Sequence, residues 1–338
     1  MKKHWYNVVE LHFFGREHMR KLLIFLLAVS LLSVGMAQKW PAQLRFVSGP
    51  SGGTWFALGG TLAGVWTESV IPTTSGTGGG TANILTISRG QADIGLTTLS
   101  VFNAAVKGID PFKEPVKGTM LFANLYRQYA YFIMRKDYAT KNGVKTLGDV
   151  IRKKLPIRFA TLTPGTASEF VIRLLFEKGY GVTWSDIKSW GGRVEFASYT
   201  DGANLLCDNN LDMFAFQISR VASVIMDIES RIDIVILPVD EEAIQALANY
   251  LGTTKFFIEP GIYKSVTEPV PTVGDYTCLV IRENLPEDLV YKLAEALWNK
   301  KEQIAKAFVD MAELNPQEAI SRGVPAHPGS IKFWSQLK

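Results

Sequence analysis

The chain has 338 residues, with 36 Lys plus Arg against 32 Asp plus Glu for a formal net charge of +4, and 47% of its residues are apolar. That is length for about two domains of roughly 150 residues each and enough apolar material for a packed core, which excludes a disordered chain, a collagen and a disulfide-stapled miniature. The only cysteines are Cys207 and Cys278, and His327 is the one histidine beyond His4, His12 and His18, so neither a four-cysteine zinc site nor a His-rich centre can be built in the body.

Met19-Arg20-Lys21, the apolar run from Leu22 to Val34 and the small residues Gly35-Met36-Ala37 form the basic, hydrophobic and cleavage regions of a secretory signal. The run of about 13 residues falls short of the roughly 20 needed to cross a bilayer core as a helix. Residues 1–18 are charged and aromatic, which suits a start of translation at Met19. Removing residues 1–37 deletes Lys2, Lys3, Arg16, Arg20 and Lys21 against Glu10 and Glu17, taking the balance from +4 to +1. A near-neutral body gives no electrostatic reason to expect nucleic acid. With no second long apolar run, the expected product is soluble and exported. Export would permit a Cys207–Cys278 disulfide, but a helix-like setting for Cys207 and a strand-like one for Cys278 favour two separate buried thiols.

From residue 44 onward short β-like runs alternate with helical stretches, the pattern of an α/β protein with parallel strands and crossover helices. The first predicted strand, Leu44 to Val47, runs into Ser48-Gly-Pro-Ser51-Gly52-Gly53-Thr54-Trp55, followed by Phe56, Gly59, Leu62 and Trp66 at helical spacing. Thr77-Gly-Gly-Gly80-Thr81-Ala-Asn83 again places glycine and hydroxyls ahead of a predicted helix, Ala82 to Arg89, closed by Gly90. Strands follow at Ile94 to Leu96 and Ile157 to Ala160. The third such turn, Thr163-Pro164-Gly165-Thr166-Ala167-Ser168-Glu169, opens a helix from Glu169 to Lys178 closed by Gly179. Further strands are expected at Val194 to Ala197, Met213 to Phe216 and Ile232 to Leu237. A long amphipathic helix is expected from Pro286 through Trp298 to Phe308, begun by proline and acids.

Tyr129-Ala-Tyr-Phe-Ile-Met-Arg135-Lys-Asp137 echoes Tyr276-Thr-Cys-Leu-Val-Ile-Arg282-Glu-Asn284. If both segments carry the chain between two lobes, lobe I holds residues 38–128 plus 275–338 and lobe II holds 129–274. Two unrelated strands of similar composition would leave the same trace.

Glycines let a backbone approach a ligand closely, and a helix N-terminus offers unpaired N–H groups with partial positive charge. One such end is worth about 0.3–1 kcal/mol to an exposed anion, and up to roughly 2 when partly buried. Micromolar binding, roughly 8 kcal/mol, therefore needs several ends acting together with hydroxyls. No Lys-Ser or Lys-Thr follows the glycines, and Gly76-Thr-Gly78-Gly-Gly-Thr81 lacks the last glycine of the dinucleotide pattern, so phosphoryl transfer loses its support. Each loop alone is equally well a tight strand-to-helix turn. Three of them suit a crevice at the carboxyl ends of parallel strands.

These segments, together with Arg89-Gly-Gln-Ala-Asp-Ile-Gly95, the helix-plus-Asp212 stretch, Pro260-Gly-Ile-Tyr263 and Tyr276 to Ile281, resemble the TAXI solute receptors of tripartite ATP-independent periplasmic (TRAP) transporters over nearly all of residues 44–310. The resemblance implies a type II periplasmic-binding-protein fold, two lobes with parallel-type sheets joined by a two-strand hinge, closing over a small solute that is passed to a TRAP membrane permease. It implies no cofactor. It places Ser51, Gly52, Gly53, Thr54, Trp55, Thr81 and Asn83 on one wall of the pocket and Thr98 at the end of the third strand. Pro164, Gly165, Thr166 and Ser168 fall on the opposing wall, with Phe216 and Gln217 approaching from the second lobe and Tyr126 from the hinge. Arg127-Gln128 stand where the family often shows Pro-Glu, and Thr98 where it has Gln, so solute preference can differ from relatives that bind dicarboxylates or glutamate.

Trp55 suits either a shelf for solute carbons or packing of the first helix. Arg127 suits a ligand carboxylate or, more commonly, an ion pair at the surface or between lobes. His327 is expected at the surface, and Asp93 and Asp212 in turn and capping roles. The expected function is a non-enzymatic receptor for a small organic anion or an amino acid. The rivals are a binding protein of an ABC importer for sulfonates or thiamine precursors and an exported hydrolase, the last disfavoured by the absence of a Gly-x-Ser-x-Gly elbow.

Overall fold

A computed structural model describes residues 39–49, 51 and 54–338. The predicted leader, residues 1–37, lies outside the described residues, as do Gly52 and Gly53. Strands β1 (Leu44–Val47), β2 (Thr73–Gly76) and β3 (Ile94–Thr98) alternate with helices α1 (Thr54–Ser69), α2 (Gly80–Ser88) and α3 (Leu99–Lys107). The long strand β4 (Thr119–Arg135) leads to α4 (Lys136–Asn142) and α5 (Leu147–Arg152). A second alternation follows: β5 (Arg158–Thr161), α6 (Ala167–Leu174) running into a π turn (Leu175–Gly179), α7 (Trp184–Ser189), β6 (Arg193–Phe196), α8 (Tyr199–Cys207), β7 (Met213–Ser219) and α9 (Ser223–Arg231). Then come β8 (Ile234–Ile236), α10 (Glu241–Leu251), β9 (Thr254–Ile258) and β10 (Val270–Arg282). The chain ends with α11 (Glu287–Asn299), α12 (Lys301–Ala307), a 3-10 turn (Val309–Glu313) and α13 (Pro328–Ser335).

The strands form one mixed sheet in the order β2-β1-β3-β10-β4-β7-β5-β6, with β8 on β4 and β9 on β10. Neighbours within β2-β1-β3 and within β6-β5-β7 are parallel, while β10 and β4 are antiparallel to each other and to the trios they join. The order therefore reads alike from either edge. The two echoing segments lie on adjacent antiparallel strands and run apart from their near ends, Tyr276 pairing with Arg127 and Tyr129 with Gly274.

Burial follows the pleat. On β4, Tyr131 and Ile133 join the cluster that holds Ala160, Phe214, Phe216 and Tyr263, while Phe132 and Met134 join the one that holds Phe159, Phe176 and Leu247. Alternate residues of a strand face opposite sides, so one strand feeds two cores. In α10, Asp240 at the N-cap precedes Glu241 and Glu242 in the first turn, where acids suit the helix dipole. Ala243, Ile244, Leu247 and Leu251 then repeat at helical spacing on the buried side. Trp66 on α1 is fully buried and its Nε1 donates to the Leu293 carbonyl of α11 at 3.1 Å, which ties the end of the chain to its beginning.

Several sequence expectations are corrected. Gly90 has the left-handed φ of +69° expected of a helix stop, but Gly179, the last residue of the π turn, does not. The left-handed residue is Gly181 at +67°. Gly179 serves close packing instead, since a Cβ there would lie 3.0 Å from the Ala243 Cβ of α10. The long C-terminal helix breaks at Lys300, whose ψ of 5° lies between α11 and α12. His327 is buried at 2% exposure, not at the surface. Its Nδ1 accepts the Gly329 N–H at 3.2 Å as the cap of α13, which leaves Nε2–H to donate to the Leu285 carbonyl at 3.1 Å. Burial lowers its pKa. Asp93 and Asp212 do not cap helices; each opens a strand and clamps an arginine of the parallel neighbour, Arg45 and Arg158 respectively. Both cysteines are free, Cys278 buried on β10 and Cys207 only half-buried at the end of α8.

Candidate functional site

In each parallel trio the carboxyl end of a strand leads directly to a helix start, so the N-termini of α1 and α2 and those of α6 and α8 gather at the strand ends. This is where open α/β sheets take ligands. The meeting point is Gly80, the first residue of α2. A Cβ there would lie 3.5 Å from Thr97 Oγ1, 3.8 Å from the Ala167 Cβ and 3.8 Å from Trp55 Cζ3. These neighbours come from the end of β3, the start of α6 and the start of α1, so the three glycine turns of the sequence converge on one space.

The N-terminus of α2 is open. Gly79, in extended conformation at the N-cap, contributes no side-chain cap, and its own N–H donates to Asn83 Oδ1 at 2.9 Å. Thr81 is half-buried in the first turn, and Ser51 and Thr54 are exposed. Asn83 is committed to the scaffold: its Nδ2 donates to the carbonyls of Ser48 and Leu96 at 2.7 Å and of Val47 at 3.2 Å. It holds the ends of β1 and β3 against the helix start and leaves no amide group for a guest.

Adjacent threonines on β3 have opposite roles. Thr98 Oγ1 lies 3.1 Å from Ser100 Oγ, and Ser100 donates through both its hydroxyl and its backbone N–H to the Asp275 carboxylate. Thr97, fully buried, has no hydrogen-bond partner for Oγ1 among the described residues. The side chain aimed at Gly80 is thus Thr97, one residue before the threonine that the sequence resemblance selects.

On the other side, Pro164 and Gly165 form an exposed turn with Gly165 at φ +91°. The Thr166 hydroxyl accepts the Glu169 N–H and donates to the Thr163 carbonyl, closing the start of α6. Ser168 Oγ accepts the Gln217 N–H at 2.7 Å, and the Tyr199 hydroxyl donates to the Gln217 carbonyl at 3.0 Å. The Gln217 backbone is pinned twice while its buried Nε2 has no partner among the described residues, and Thr161 Oγ1 at the end of β5 is in the same state. Phe216 is wholly buried, packed edge-on against Tyr199 with centroids 5.2 Å apart; it is core rather than wall.

Tyr126 joins the halves of the site. Its hydroxyl accepts Trp55 Nε1 at 3.1 Å, and burial raises its pKa to about 12, so it stays protonated. Beside it Gln128 Nε2 donates to Thr277 Oγ1 at 2.7 Å. Arg127 turns elsewhere, its guanidinium 2.5 Å from Glu318 and its ring neighbour Phe256 at 5.5 Å. The side chains that converge on Gly80 are therefore neutral. An unpaired buried hydroxyl or amide costs about 1–3 kcal/mol, and a guest with acceptor oxygens would recover that. Thr97, Thr161 and Tyr199 left no signal in the sequence beyond lying near strand ends, and Gln128, in the middle of β4, left none; only the alternation of a strand could have shown that Thr97 and Thr98 must differ.

Among the described residues no group of three or more His, Cys, Asp or Glu could hold a metal ion, and no helix is long and apolar enough to cross a membrane. A family model described as the NMT1-like family matches residues 46–336. Among solved structures, MatC from Rhodopseudomonas palustris with bound malate is similar at 18% identity and TM-score 0.50, covering 82% of this chain and 92% of that one. PhnD1 from Prochlorococcus marinus in complex with methylphosphonate is similar at 13% identity and TM-score 0.52, covering 88% and 96%. The periplasmic binding protein BugD is similar at 15% identity and TM-score 0.50, covering 88% and 97%. The shared feature is the fold, an α/β periplasmic-binding-protein fold on a mixed sheet.

Proposed function

The chain belongs to the NMT1-like family, and from that premise we propose that it is an extracytoplasmic, non-enzymatic receptor for a small polar, carboxylate-bearing solute. The class comprises dicarboxylates, oxoacids and amino acids such as glutamate. The observation that carries this reading is the convergence of Trp55, Gly80, Thr97 and Ala167 around an uncapped helix start with neutral, unpaired donors. Backbone N–H groups and hydroxyls suit carboxylate oxygens, and the Trp55 ring suits the carbons between them. The leader expected at residues 1–37 supports export. The β4–β10 pair is read as the hinge, with 38–128 plus 275–338 on one side and 129–274 on the other. Solute touching both sides would favour the closed state through its better binding there.

The TAXI-like motifs favour a TRAP-type permease as the recipient. An ABC importer for an oxyanion such as a sulfonate is the second reading, favoured by the likeness in fold to a methylphosphonate-bound protein. A neighbouring gene for a fused multi-span permease supports the first and one for an ATPase the second.

The test is a thermal-shift and calorimetric titration of the full-length protein with dicarboxylates, oxoacids and amino acids. At a solute concentration of 100 Kd, binding adds about 2.7 kcal/mol of stability. Gly80→Ala is expected to fold normally, because its Cβ meets neighbours at ordinary contact distances of 3.5–3.8 Å, yet to bind at least tenfold more weakly. Stabilisation by none of these acids, or undiminished binding in Gly80→Ala, would overturn the reading.

A further inference from the structure

A second cavity, of about 450 Å³, shares no lining residue with the cleft around Gly80. Leu99, Asn103 and Lys107, spaced four apart on α3, form one wall, and Thr254, Tyr276 and Arg322 stand among the residues around them. The volume lies within the roughly 300–1,000 Å³ of small-molecule sites.

Asn103 is only 9% exposed, yet its side-chain amide makes no hydrogen bond to any described residue, so it opens onto the cavity unpaired. Lys107 Nζ donates to the Tyr250 carbonyl at 2.8 Å, which fixes a cation at the rim without neutralising it. Arg322 has no ion-pair partner among the described residues. Glu318, the one acid in the lining, is already bound to Arg127 at 2.5 Å. Two cations and an unpaired amide thus face the cavity beside the polar side chains of Thr254, Gln317 and Ser321, with Leu99, Tyr276 and Ile320 as apolar surface. Charge-assisted donors of this kind suit several carboxylate oxygens, and the apolar surface suits a short carbon skeleton between them.

We propose that this cavity is a second binding site, for a small organic polycarboxylate held by Asn103, Lys107 and Arg322. Its walls come from α3 and the C-terminal stretch on one side and from the start of β9 on the other. On the hinge reading given above, and only on it, occupancy would alter the solute affinity of the cleft, and the solute would alter affinity here by the same factor.

The experiment is calorimetric titration of the full-length protein with citrate. In Gly80→Ala, which obstructs the cleft, citrate binding at the cavity is expected to persist with unchanged affinity. Arg322→Glu, an exposed substitution that the fold accommodates, is expected to weaken that binding at least tenfold, and adding Asn103→Leu to abolish it. Loss of all citrate binding in Gly80→Ala, or unchanged binding in Arg322→Glu, would overturn the proposal whether or not Asn103→Leu folds. The cleft reading stands or falls separately, on whether any solute responds to Gly80→Ala.

Discussion

In β2-β1-β3, Arg45 gives its backbone N–H and its guanidinium to Asp93; in β6-β5-β7, Arg158 does the same with Asp212. The local sequences agree, Leu44-Arg45-Phe46 with Ile157-Arg158-Phe159, and in both an acid opens the inner strand. The finish differs. The first trio leaves the start of α2 uncapped, whereas the second closes α6 with Thr166 and α8 with Ser198. One skeleton thus yields a side that presents peptide donors beside the unpaired Thr97 and a side whose capped helix starts stand beside the unpaired Thr161 and Gln217. The inner helices also differ: α3 receives the buried Asp275 carboxylate at its N-terminus, while the Ala222 N–H ahead of α9 donates to the Tyr263 hydroxyl.

Removing the two clamps compares the skeletons directly and carries the largest expected effect. Asp93 is 3% exposed on its side chain and holds Arg282 at 3.1 Å as well as Arg45, so Asp93→Ala deprives Arg282 and the Arg45 N–H of their acid, while the Gly90 carbonyl still holds the Arg45 guanidinium. A loss of about 3 kcal/mol is expected, against about 2 for Asp212→Ala, where Arg158 is the one arginine in an ion pair with the acid among the described residues and the Asn209 carbonyl still holds it. Urea unfolding of both variants measures this, and an equal or larger loss in Asp212→Ala would remove the asymmetry.

The acid at α3 sets the next contrast. Burial raises the Asp275 pKa from 3.8 to about 6. A carboxyl raised on folding favours the folded state while it remains protonated, and that contribution is lost as pH rises from about 4 through 6. Two pKa units correspond to about 3 kcal/mol as an upper bound. Asp275→Asn should therefore gain stability relative to the parent between pH 4 and pH 7, and parallel melting curves across that range would show that this carboxyl does not titrate with folding.

The smallest effects separate the hydroxyls. Thr97→Val and Thr161→Val remove unpaired buried oxygens, so stability should hold or rise by about 1 kcal/mol while solute binding falls. Thr98→Val removes a bonded oxygen and should cost about 1 kcal/mol with little change in binding. Melting and titration of the three variants would test the assignment, and the reverse order would return Thr98 to the site.

The six strands expected from apolar runs all form, because a β-branched or aromatic run bounded by turn residues constrains its own backbone. Strand β2, Thr73-Thr-Ser-Gly76, carries no such run, and it forms because the edge of β1 accepts it in parallel register. His327 gave no sign of burial, since the groups that enclose it, Leu285 and Gly329, act through backbone atoms. Of the candidate ligand residues, Trp55 and Tyr126 meet through a hydrogen bond between parts of the chain 71 residues apart. Asn83, Thr166 and Phe216 prove to be held by the protein itself.

Composition and local pattern by themselves determined the α/β class, the three glycine turns and the strands beside them, because backbone freedom, hydroxyl caps and apolar runs act over a few residues. The tertiary structure alone decided that those turns share one space at Gly80 and which of two neighbouring threonines is left without a partner. Both depend on strand register and on contacts between distant segments, which leave no periodic trace in the chain.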